Sequence, residues 1–559
     1  MTTTVIVGGV AGGMSCATRL RRNDETMDII VIEASGYVSF ANCGLPYYIG
    51  GDIKERPSLL LQTPQSLNAR FNLDVRVNSR VTSIDPAAQT VTVTTSAPHP
   101  HAGEPDINGV EYTLAYDNLV LSPGASPVTP PIPGIERALT LRTVEDTDAI
   151  VAAIDTQAGS DTTAVIIGGG FIGLELAENL HERGLTVTVV EAAPHVMGML
   201  DTEMAALVTK TLESNGITVI ANAAVTEITD TAVVAGGTTI PADIVVAAIG
   251  VKPASDLAKN AGLAIGERGG IVTDEFLRTS NPHIYALGDA AEKFDAGDGT
   301  STLVPLAQTA NRHGRLVADI IAGTRNTPVK HVLGTAIIGL FDIAAASVGW
   351  SERTARTKAE HNPAMNVAVA HIHPGSHAGY YPGAETIHLK LIFDLTSGRI
   401  YGAQAVGKDG VDKRIDVIAT AMRGGLTASD LADLELAYAP QFGSAKDPIN
   451  FIGMVSDNMM HGEKTFQWYE VEQAQADGWT LVDVRDPGEV ARGGIPGAIN
   501  VPLNSLRDYI AEHPELKDQK LLVNCQVGLR GHIATTLLTN SGITAANLDG
   551  GYLTWSSVN

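Results

Sequence analysis

The sequence predicts an α/β protein built from two doubly wound parallel sheets, an α+β module and a further α/β module at the C-terminus. Three observations carry that prediction. A strand, a glycine-rich turn, a helix and a second strand ending in a glutamate occur in that order twice, within residues 4–33 and again within 164–191. Near residue 330 the texture changes to sheet-like runs without the glycine signature. A polar stretch, Asp457 to Lys464, then reads as a linker to a last segment in which strand and helix patterns alternate again. A chain of 559 residues exceeds what one hydrophobic core organises, so several domains are expected.

In the first unit, the β-branched run Thr4 to Val7 leads into Gly8-Gly9-Val10-Ala11-Gly12-Gly13. A helix-like Met14 to Arg22 follows, then an apolar Ile29 to Ile32 that ends at Glu33. In the second, Ala164 to Ile167 leads into Gly168-Gly-Gly170-Phe-Ile-Gly173, a helical Leu174 to Arg183, and Thr186 to Val190 ending at Glu191. Glycines at such a turn let the backbone approach a pyrophosphate at a helix N-terminus, and the carboxylate accepts from a ribose hydroxyl. The second copy fits G-x-G-x-x-G in full, with Glu191 18 positions after Gly173. The first departs from it: Val10 takes the middle glycine position, and Gly12 is an extra glycine. A single copy is compatible with an ordinary strand–helix turn; two copies in one order point to two nucleotide sites. Glu191 favours NADH over NADPH, because a carboxylate repels a 2′-phosphate.

Between the two units, Val75 to Val93 and Glu111 to Leu121 alternate as short strands and stop at Ser122-Pro-Gly-Ala125. Asp243 to Gly250 is another apolar strand. The run from Ile284 to Gly288-Asp289 then places an aspartate at a strand-to-helix turn. There it can accept from a ribityl-like hydroxyl chain or cap the helix. Beyond residue 330, Thr335 to Val348, Val367 to His371 and Ile387 to Phe393 read as sheet strands, and Gly410 to Arg423 as an amphipathic helix. The last segment offers strands Leu481 to Val484 and Leu521 to Asn524, a cysteine-containing loop, and a helix His532 to Asn540.

Composition removes several function classes. A net charge of −24, from 38 Lys+Arg against 62 Asp+Glu, argues against a dedicated nucleic-acid or anionic-membrane binder. The N-terminal MTTTVIVGGVAGG has no basic n-region, so no signal peptide is expected. The most apolar run, Ala336 to Trp350, is interrupted by Asp342, so no membrane insertion is expected. Three cysteines, Cys16, Cys43 and Cys525, are too few for a disulfide framework and point to a reducing, cytoplasmic setting. His371, His373 and His377 lack a fourth ligand and a closed spacing; they read as surface histidines, and no metal is expected.

Cys43 lies in Ser39-Phe-Ala-Asn42-Cys43-Gly44-Leu-Pro46-Tyr-Tyr48, after the second strand of the first unit. A cysteine in a turn entering a helix can be held as thiolate by the helix N-terminus. Cys16 reads as a small buried hydrophobe. Arg19 and Arg22, three apart on the helix after the first glycine turn, share a face and can grip phosphates.

Over about residues 1–455 these features resemble the flavin-dependent pyridine nucleotide–disulfide oxidoreductases. The resemblance rests on the two nucleotide units, the Ser122 to Ala125 turn, Gly288-Asp289 and the α+β module. It implies an FAD-binding domain in two parts, 1–150 and 251–330, using Gly8, Gly12, Gly13, Glu33 and Asp289. It implies an NAD(P)H-binding domain, 151–250, in which Gly168, Gly170, Gly173 and Glu191 hold NADH, with NADPH as the alternative donor. Residues 331–456 become a dimerisation domain, and the protein a homodimer. Most members carry a C-x-x-x-x-C pair; here Tyr48 stands at the partner position, and no cysteine follows until Cys525. That is the pattern of the single-cysteine branch, which contains coenzyme A-disulfide reductases and NADH peroxidases and oxidases. SFANCGLPYY is most similar to the coenzyme A-disulfide type. Tyr380-Tyr381-Pro-Gly and Leu436-Ala-Tyr438-Ala-Pro-Gln-Phe-Gly-Ser-Ala-Lys446-Asp-Pro match motifs by which a partner subunit reaches the reactive cysteine. By that resemblance Tyr438 is the acid for the leaving thiolate and Tyr380 assists it. Lys446, Arg19 and Arg22 meet phosphates of coenzyme A, and Ser39 and Asn42 flank the substrate.

Residues 465–559, beyond the 457–464 linker, resemble a rhodanese domain. The matching motifs are Val482-Asp483-Val-Arg485-Asp-Pro-Gly-Glu489, Gly494-Ile-Pro-Gly497-Ala498-Ile-Asn500-Val-Pro502, Cys525-Gln-Val-Gly-Leu-Arg530, and Asp549-Gly-Gly-Tyr552 with Trp555. Backbone N–H groups of the cysteine loop form a cradle for a persulfide anion, which Arg530 would close. Four residues separate Cys525 from Arg530, one fewer than in related phosphatase loops, which favours sulfur over phosphate. The implied reaction passes electrons from NAD(P)H through FAD to Cys43, which attacks coenzyme A persulfide, polysulfide or coenzyme A disulfide, while Cys525 carries sulfane sulfur. Two alternatives stay open: an NADH peroxidase or oxidase cycling Cys43 through sulfenic acid, and a redox-sensing sulfur carrier whose flavin half is scaffold.

Overall fold

The computed structural model describes residues 2–96, 109–157 and 161–559. Met1 and residues 97–108, within the expected span 1–150, and residues 158–160, within 151–250, lie outside the described residues. Two compact units divide the chain: Met1–Pro194 with Gly216–Gly334, and His195–Asn215 with Thr335–Asn559.

The first unit holds both doubly wound sheets. One runs Ile284–Ala286, Asn118–Leu121, Thr3–Val7, Asp28–Ile32, Asp74–Arg76, all parallel. Val5 and Ile6 in its central strand are fully buried, as a parallel strand covered on both faces requires. The helix Ala11–Asn23 packs beside Ala307–Ile321, and a Cβ on Gly314 would sit 2.2 Å from the Gly12 carbonyl oxygen. The second sheet runs Thr218–Ile220, Thr186–Val190, Thr163–Ile167, Ile244–Ala247, again all parallel. In each sheet the glycine-rich turn follows a central strand and opens a helix, which puts both turns at the carboxyl ends of the strands.

The second unit contains an antiparallel sheet in the order Ala336–Leu340, Ile343–Gly349, Ile400–Gly407, Ile387–Asp394, Val367–Ile372. The run Thr335 to Val348 is thus a hairpin, turning at Phe341, which has a φ of 53°, and Asp342. The fully buried Ile400–Gly407 was not anticipated from its sequence. A parallel sheet follows, in the order Thr465–Phe466, Thr544–Leu548, Lys520–Asn524, Trp479–Asp483, Ile499–Asn500. The expected linker is shorter than its polar sequence implied, because Asp457 to Met460 form the end of the helix Pro448–Met460. An Asp447–Asn450 capping box and Pro448 start that helix, and buried Ile449, Ile452 and Met459 carry it on.

Lys390 stands fully buried in the middle of the antiparallel sheet. Its ammonium lies 2.9 Å from Asp201 and 2.8 Å from Glu352 and also bonds Glu203. Asp201 and Glu203 come from the 195–215 segment, so this ion cluster fastens that segment to the sheet. Burial works against the Lys390 charge, but the three carboxylates win and hold its pKa above the usual lysine value. Among the described residues no helix is long and apolar enough to cross a membrane.

Candidate active sites

The glycine turns show why only glycine serves at most of their positions. Gly8 has a φ of +98°, and a Cβ there would lie 2.0 Å from the Ser122 carbonyl oxygen. One on Gly13 would lie 1.9 Å from the Gly8 oxygen, and one on Gly12 2.3 Å from Leu287. In the second turn a Cβ on Gly168 or Gly173 would come within 2.4 or 2.0 Å of backbone oxygen, whereas Gly170 faces open space. Gly170 is therefore the position at which a pyrophosphate can approach the backbone. In the first turn Val10 stands there, just before the helix Ala11–Asn23. Glu33 accepts from the Gly9 and Ser35 amides at 2.7 and 2.8 Å, and burial pushes its pKa up. Glu191 accepts from the Gly169 and Ala193 amides at 2.7 Å each. Both carboxylates brace their turns and keep further lone pairs for a sugar hydroxyl. Such donor sets, a helix start plus a carboxylate, fit dinucleotides.

Asp289 lies inside the turn Gly288–Ala290 rather than capping it and accepts from Arg142 at 2.7 Å. Lys293 supports the turn from within, donating to the Gly288 and Ala291 carbonyls at 2.7 and 3.0 Å; burial pulls its pKa down to about 8.

Cys43 is exposed in the turn Asn42–Gly44, ahead of the helix Leu45–Gly50. Ser39, at a φ of 47°, and Asn42 are half-buried in the same loop. The expected helix-stabilised thiolate is not what these surroundings favour. Desolvation by the neighbouring protein, then Glu175, push the thiol pKa up; Arg142 opposes them and Asp289 adds to them. A six-residue helix offers little dipole against two carboxylates. Glu175, on the helix Phe171–Glu182, accepts from the Tyr47 hydroxyl at 3.3 Å, and burial raises its carboxyl to about 7. Sequence reasoning missed Glu175, Tyr47 and Arg142. The only signal was an acidic residue two positions after Gly173 in an otherwise apolar helix start. Arg19 donates to Asp319 at 2.6 Å while Arg22 is exposed, so the pair does not present two unengaged guanidiniums.

In the second unit, Tyr380 and Tyr438 meet hydroxyl to hydroxyl at 2.8 Å from loops 58 residues apart, and they are 76% and 48% exposed. Lys446 is exposed next to Asp447, the helix cap that also pairs with Arg414 at 2.8 Å.

Cys525 is fully buried in the loop between Lys520–Asn524 and Leu529–Asn540. The Gly528 amide donates to its sulfur at 3.2 Å. A Cβ on Gly551 would lie 2.5 Å from the Cys525 carbonyl oxygen, so the loop is backed closely by the Asp549-Gly-Gly-Tyr552 segment. Arg530, expected to close the cradle, instead forms a two-point pair with Glu489 at 2.7 Å per bond, which holds Glu489 down at about 2. The missed residue is Arg485: buried, paired with Asp483, it reaches the Gln526 side chain at 3.2 Å and lies 4.2 Å over the Tyr552 ring.

The three histidines are not surface residues. His371 is buried in the edge strand Val367–Ile372, where Asp549 accepts from it and Gln467 donates to the Val369 carbonyl; His373 is half-buried, and His377 is buried against Tyr381. Both ring nitrogens of His371 face carboxylates, Asp549 at 2.7 Å and Glu203 at 3.0 Å. Carboxylates only accept, so the ring carries two protons; burial opposes this, and the carboxylates lift its pKa to about 9. Among the described residues Asp201, Glu203 and Glu352 could together hold a metal ion, but the Lys390 ammonium bonds all three.

The pyridine nucleotide-disulphide oxidoreductase family matches residues 2–314 and its dimerisation domain residues 335–447, and the rhodanese-like domain matches residues 467–558. The chain belongs to the pyridine nucleotide-disulphide oxidoreductases. Among relatives of this oxidoreductase, a coenzyme A disulfide reductase of Staphylococcus haemolyticus is 35% identical over 450 residues, covering 80% of this chain and 98% of that one. The solved structure of reduced Bacillus anthracis CoADR-RHD is 46% identical with a TM-score of 0.94, over 100% of this chain and 98% of that one. A NAD-dependent persulfide reductase from A. fulgidus is 36% identical with a TM-score of 0.90, over 99% and 100%. Membership of this oxidoreductase family implies FAD and NAD(P)H, and the two glycine turns with their carboxylates fit them.

Proposed function

We propose that this oxidoreductase uses NADH to reduce coenzyme A persulfide, and related polysulfides or coenzyme A disulfide, at Cys43, with Cys525 as sulfane-sulfur carrier. The observation that carries this reading is the pairing, in one chain, of a lone exposed thiol with a second cysteine whose sulfur meets a backbone N–H. Likeness to a coenzyme A disulfide reductase and to a persulfide reductase with which it aligns end to end supports it.

FAD would be held by Gly8, Gly12, Gly13, Glu33 and Asp289, and NADH by Gly168, Gly170, Gly173 and Glu191; bound, they supply the electron pair. The Cys43 thiolate attacks the outer sulfur of the persulfide, a Cys43–S–SH bond forms and the S–S bond to coenzyme A breaks. Tyr438, hydrogen-bonded to Tyr380, delivers a proton to the departing thiolate from the partner subunit of a homodimer. Two electrons and two protons then convert the Cys43 persulfide into thiol and hydrogen sulfide. Lys446 and Arg22 steady the phosphates of coenzyme A, with Arg19 in support, and Ser39 and Asn42 line the approach to Cys43. At Cys525 the Gly528 amide steadies the persulfide anion, and Arg530 orders the loop through Glu489. Both thiols need the reducing conditions of a cytoplasm.

The test is sulfide release under steady-state NADH with coenzyme A persulfide, polysulfide, coenzyme A disulfide and hydrogen peroxide compared. Cys43→Ser should abolish turnover, and Cys525→Ser should spare coenzyme A persulfide but abolish sulfur transfer from thiosulfate. Unchanged sulfide release by the Cys43 variant, or peroxide as the best acceptor, refutes the reading. Equal efficiency with NADPH would refute the role of Glu191.

A further inference from the structure

His371 lies in the edge strand Val367–Ile372 and His373 just past its end. Both reach into the C-terminal domain, and both meet the same short segment, one at each end. Asp549 takes the His371 ring N–H at 2.7 Å, the His371 backbone N–H at 3.1 Å and the Gln467 amide at 3.2 Å. Thr554 Oγ1 lies 2.8 Å from His373 Nε2, whose other nitrogen faces His388 at 2.9 Å. Between these anchors the Tyr552 amide donates to the Cys525 carbonyl at 2.7 Å and the Leu553 amide to the Gln526 carbonyl at 2.9 Å. The fit is close on both sides. A Cβ on Gly550 would lie 2.9 Å from the His371 Cβ, and one on Gly551 2.9 Å from the Gly528 amide nitrogen. That amide is the one that meets the Cys525 sulfur.

We infer that His371 and His373 are positioning residues for sulfur transfer at Cys525: from the dimerisation domain they fix both ends of the segment 549–554, whose amides hold the cysteine loop. This rests on the reading of Cys525 as a sulfur carrier given above. Two consecutive glycines at positive φ, 66° and 64°, are inherently permissive, and their place is set by what anchors the flanking side chains. A backbone cradle works only when its donors are held within about 0.5 Å of the productive geometry. The two histidines thus act on the sulfur chemistry without touching it.

The experiment uses the full-length, flavin-loaded protein and thiosulfate with cyanide. The Cys525 thiolate takes the outer sulfur of thiosulfate, releasing sulfite, and passes it to cyanide as thiocyanate. Asparagine places an N–H near the position of histidine Nδ1 and glutamine near that of Nε2. His371→Asn and His373→Gln therefore keep the bonds to Asp549 and Thr554, whereas His371→Gln and His373→Asn lose them. The first pair should stay within about twofold of wild-type kcat; the second should lose about tenfold in kcat at unchanged KM. The Tyr552 and Leu553 amides should exchange hydrogen faster only in the second pair, and NADH-dependent reduction of coenzyme A disulfide should be unaffected in all four. Equal behaviour of the two variants at each histidine, whether both impaired or both normal, overturns the inference. Absence of sulfur transfer in the wild type refutes the carrier reading instead, and exchange at Tyr552 and Leu553 then still decides whether the histidines position the loop.

Discussion

Cys43 and Cys525 are handled in opposite ways by the same chain. Cys43 is exposed at the surface; desolvation by the neighbouring protein raises its pKa most, and side chains adjust it from there: Glu175 and Asp289 favour the thiol, and Arg142 opposes them. Cys525 is enclosed, and its nearest donor is a backbone amide in a loop backed by two glycines. The first arrangement is adjustable, because each charge can be compensated or removed singly. The second depends on shape, and a single added methyl group can spoil it. Side-chain changes should therefore tune Cys43, while backbone-level changes should break Cys525.

The largest test of that contrast is Gly551→Ala. The added Cβ would sit 2.5 Å from the Cys525 carbonyl oxygen at a φ of +64°. Thiosulfate–cyanide transfer should fall at least about 100-fold while NADH-dependent reduction at Cys43 persists. Retained transfer would mean that the cradle tolerates displacement and that the contrast is wrong.

Next comes the charge beneath the Cys525 loop. The His371 pKa is raised in the folded protein, to about 9, above its unfolded value of about 6.5. Its contribution is complete below the unfolded value and is lost as pH rises through about 9. Denaturant melts followed by Trp468 and Trp479 fluorescence should show on the order of 2 kcal/mol lost between pH 6.5 and 9.5. Replacing His371 by Asn should flatten that dependence, and an unflattened profile would place the titration elsewhere.

A smaller effect is expected at Cys43. Glu175→Gln removes the leading charge that disfavours the thiolate, so the rate of Cys43 alkylation at about pH 8, where the wild-type Glu175 is ionised, should rise about threefold to tenfold. Glu175 is itself raised, to about 7, so wild-type stability should fall as pH rises from about 4.5 through 7. The Gln variant should lack that decline. An unchanged alkylation rate would show that burial alone governs Cys43.

The smallest effect belongs to the Arg530–Glu489 pair, which is partly exposed and screened. Glu489→Gln should destabilise the protein by only about 0.5–1 kcal/mol near neutral pH. Glu489 has a depressed pKa, so its contribution is present above about 4.3 and lost as pH falls through about 2. Variant and wild type should converge in acid. A loss of sulfur transfer in this variant, with folding intact, would accord with Arg530 ordering the Cys525 loop through Glu489, and unchanged transfer would refute that role.

What the sequence revealed about these sites follows the range of the interactions. The glycine turns were legible because their constraints act within a few residues: Gly8 against Gly13, Gly168 against Gly173. The cysteine loop was legible for the same reason. Glu175 and Arg142 were not, because they face Cys43 across 132 and 99 positions of chain and carry no local pattern. The hairpin at Phe341 was hidden in one apolar run, since strand periodicity continues across a two-residue turn. The histidines misled for a related reason. A strand that looks half polar can be fully covered when its polar residues meet partners such as Asp549 and Glu203 on other elements.

The Lys390 cluster has a bearing on how this chain can be divided. The two units exchange the chain at residues 194/195, 215/216 and 334/335. A fragment beginning at Thr335 would keep Lys390 and Glu352 but lose Asp201 and Glu203, leaving an ammonium in the sheet interior with two of its three carboxylates missing. An uncompensated charge of that kind typically destabilises by about 3–5 kcal/mol. A fragment beginning after residue 464 would detach Asp549 from His371 in the same stroke. The sequence reads as a string of interchangeable modules, but its buried charges are shared across the module boundaries. For inheritance and for engineering alike, His195–Asn215 together with Thr335–Asn559 behaves as one part, and the excised rhodanese-like domain is a poor stand-in for the same domain in place.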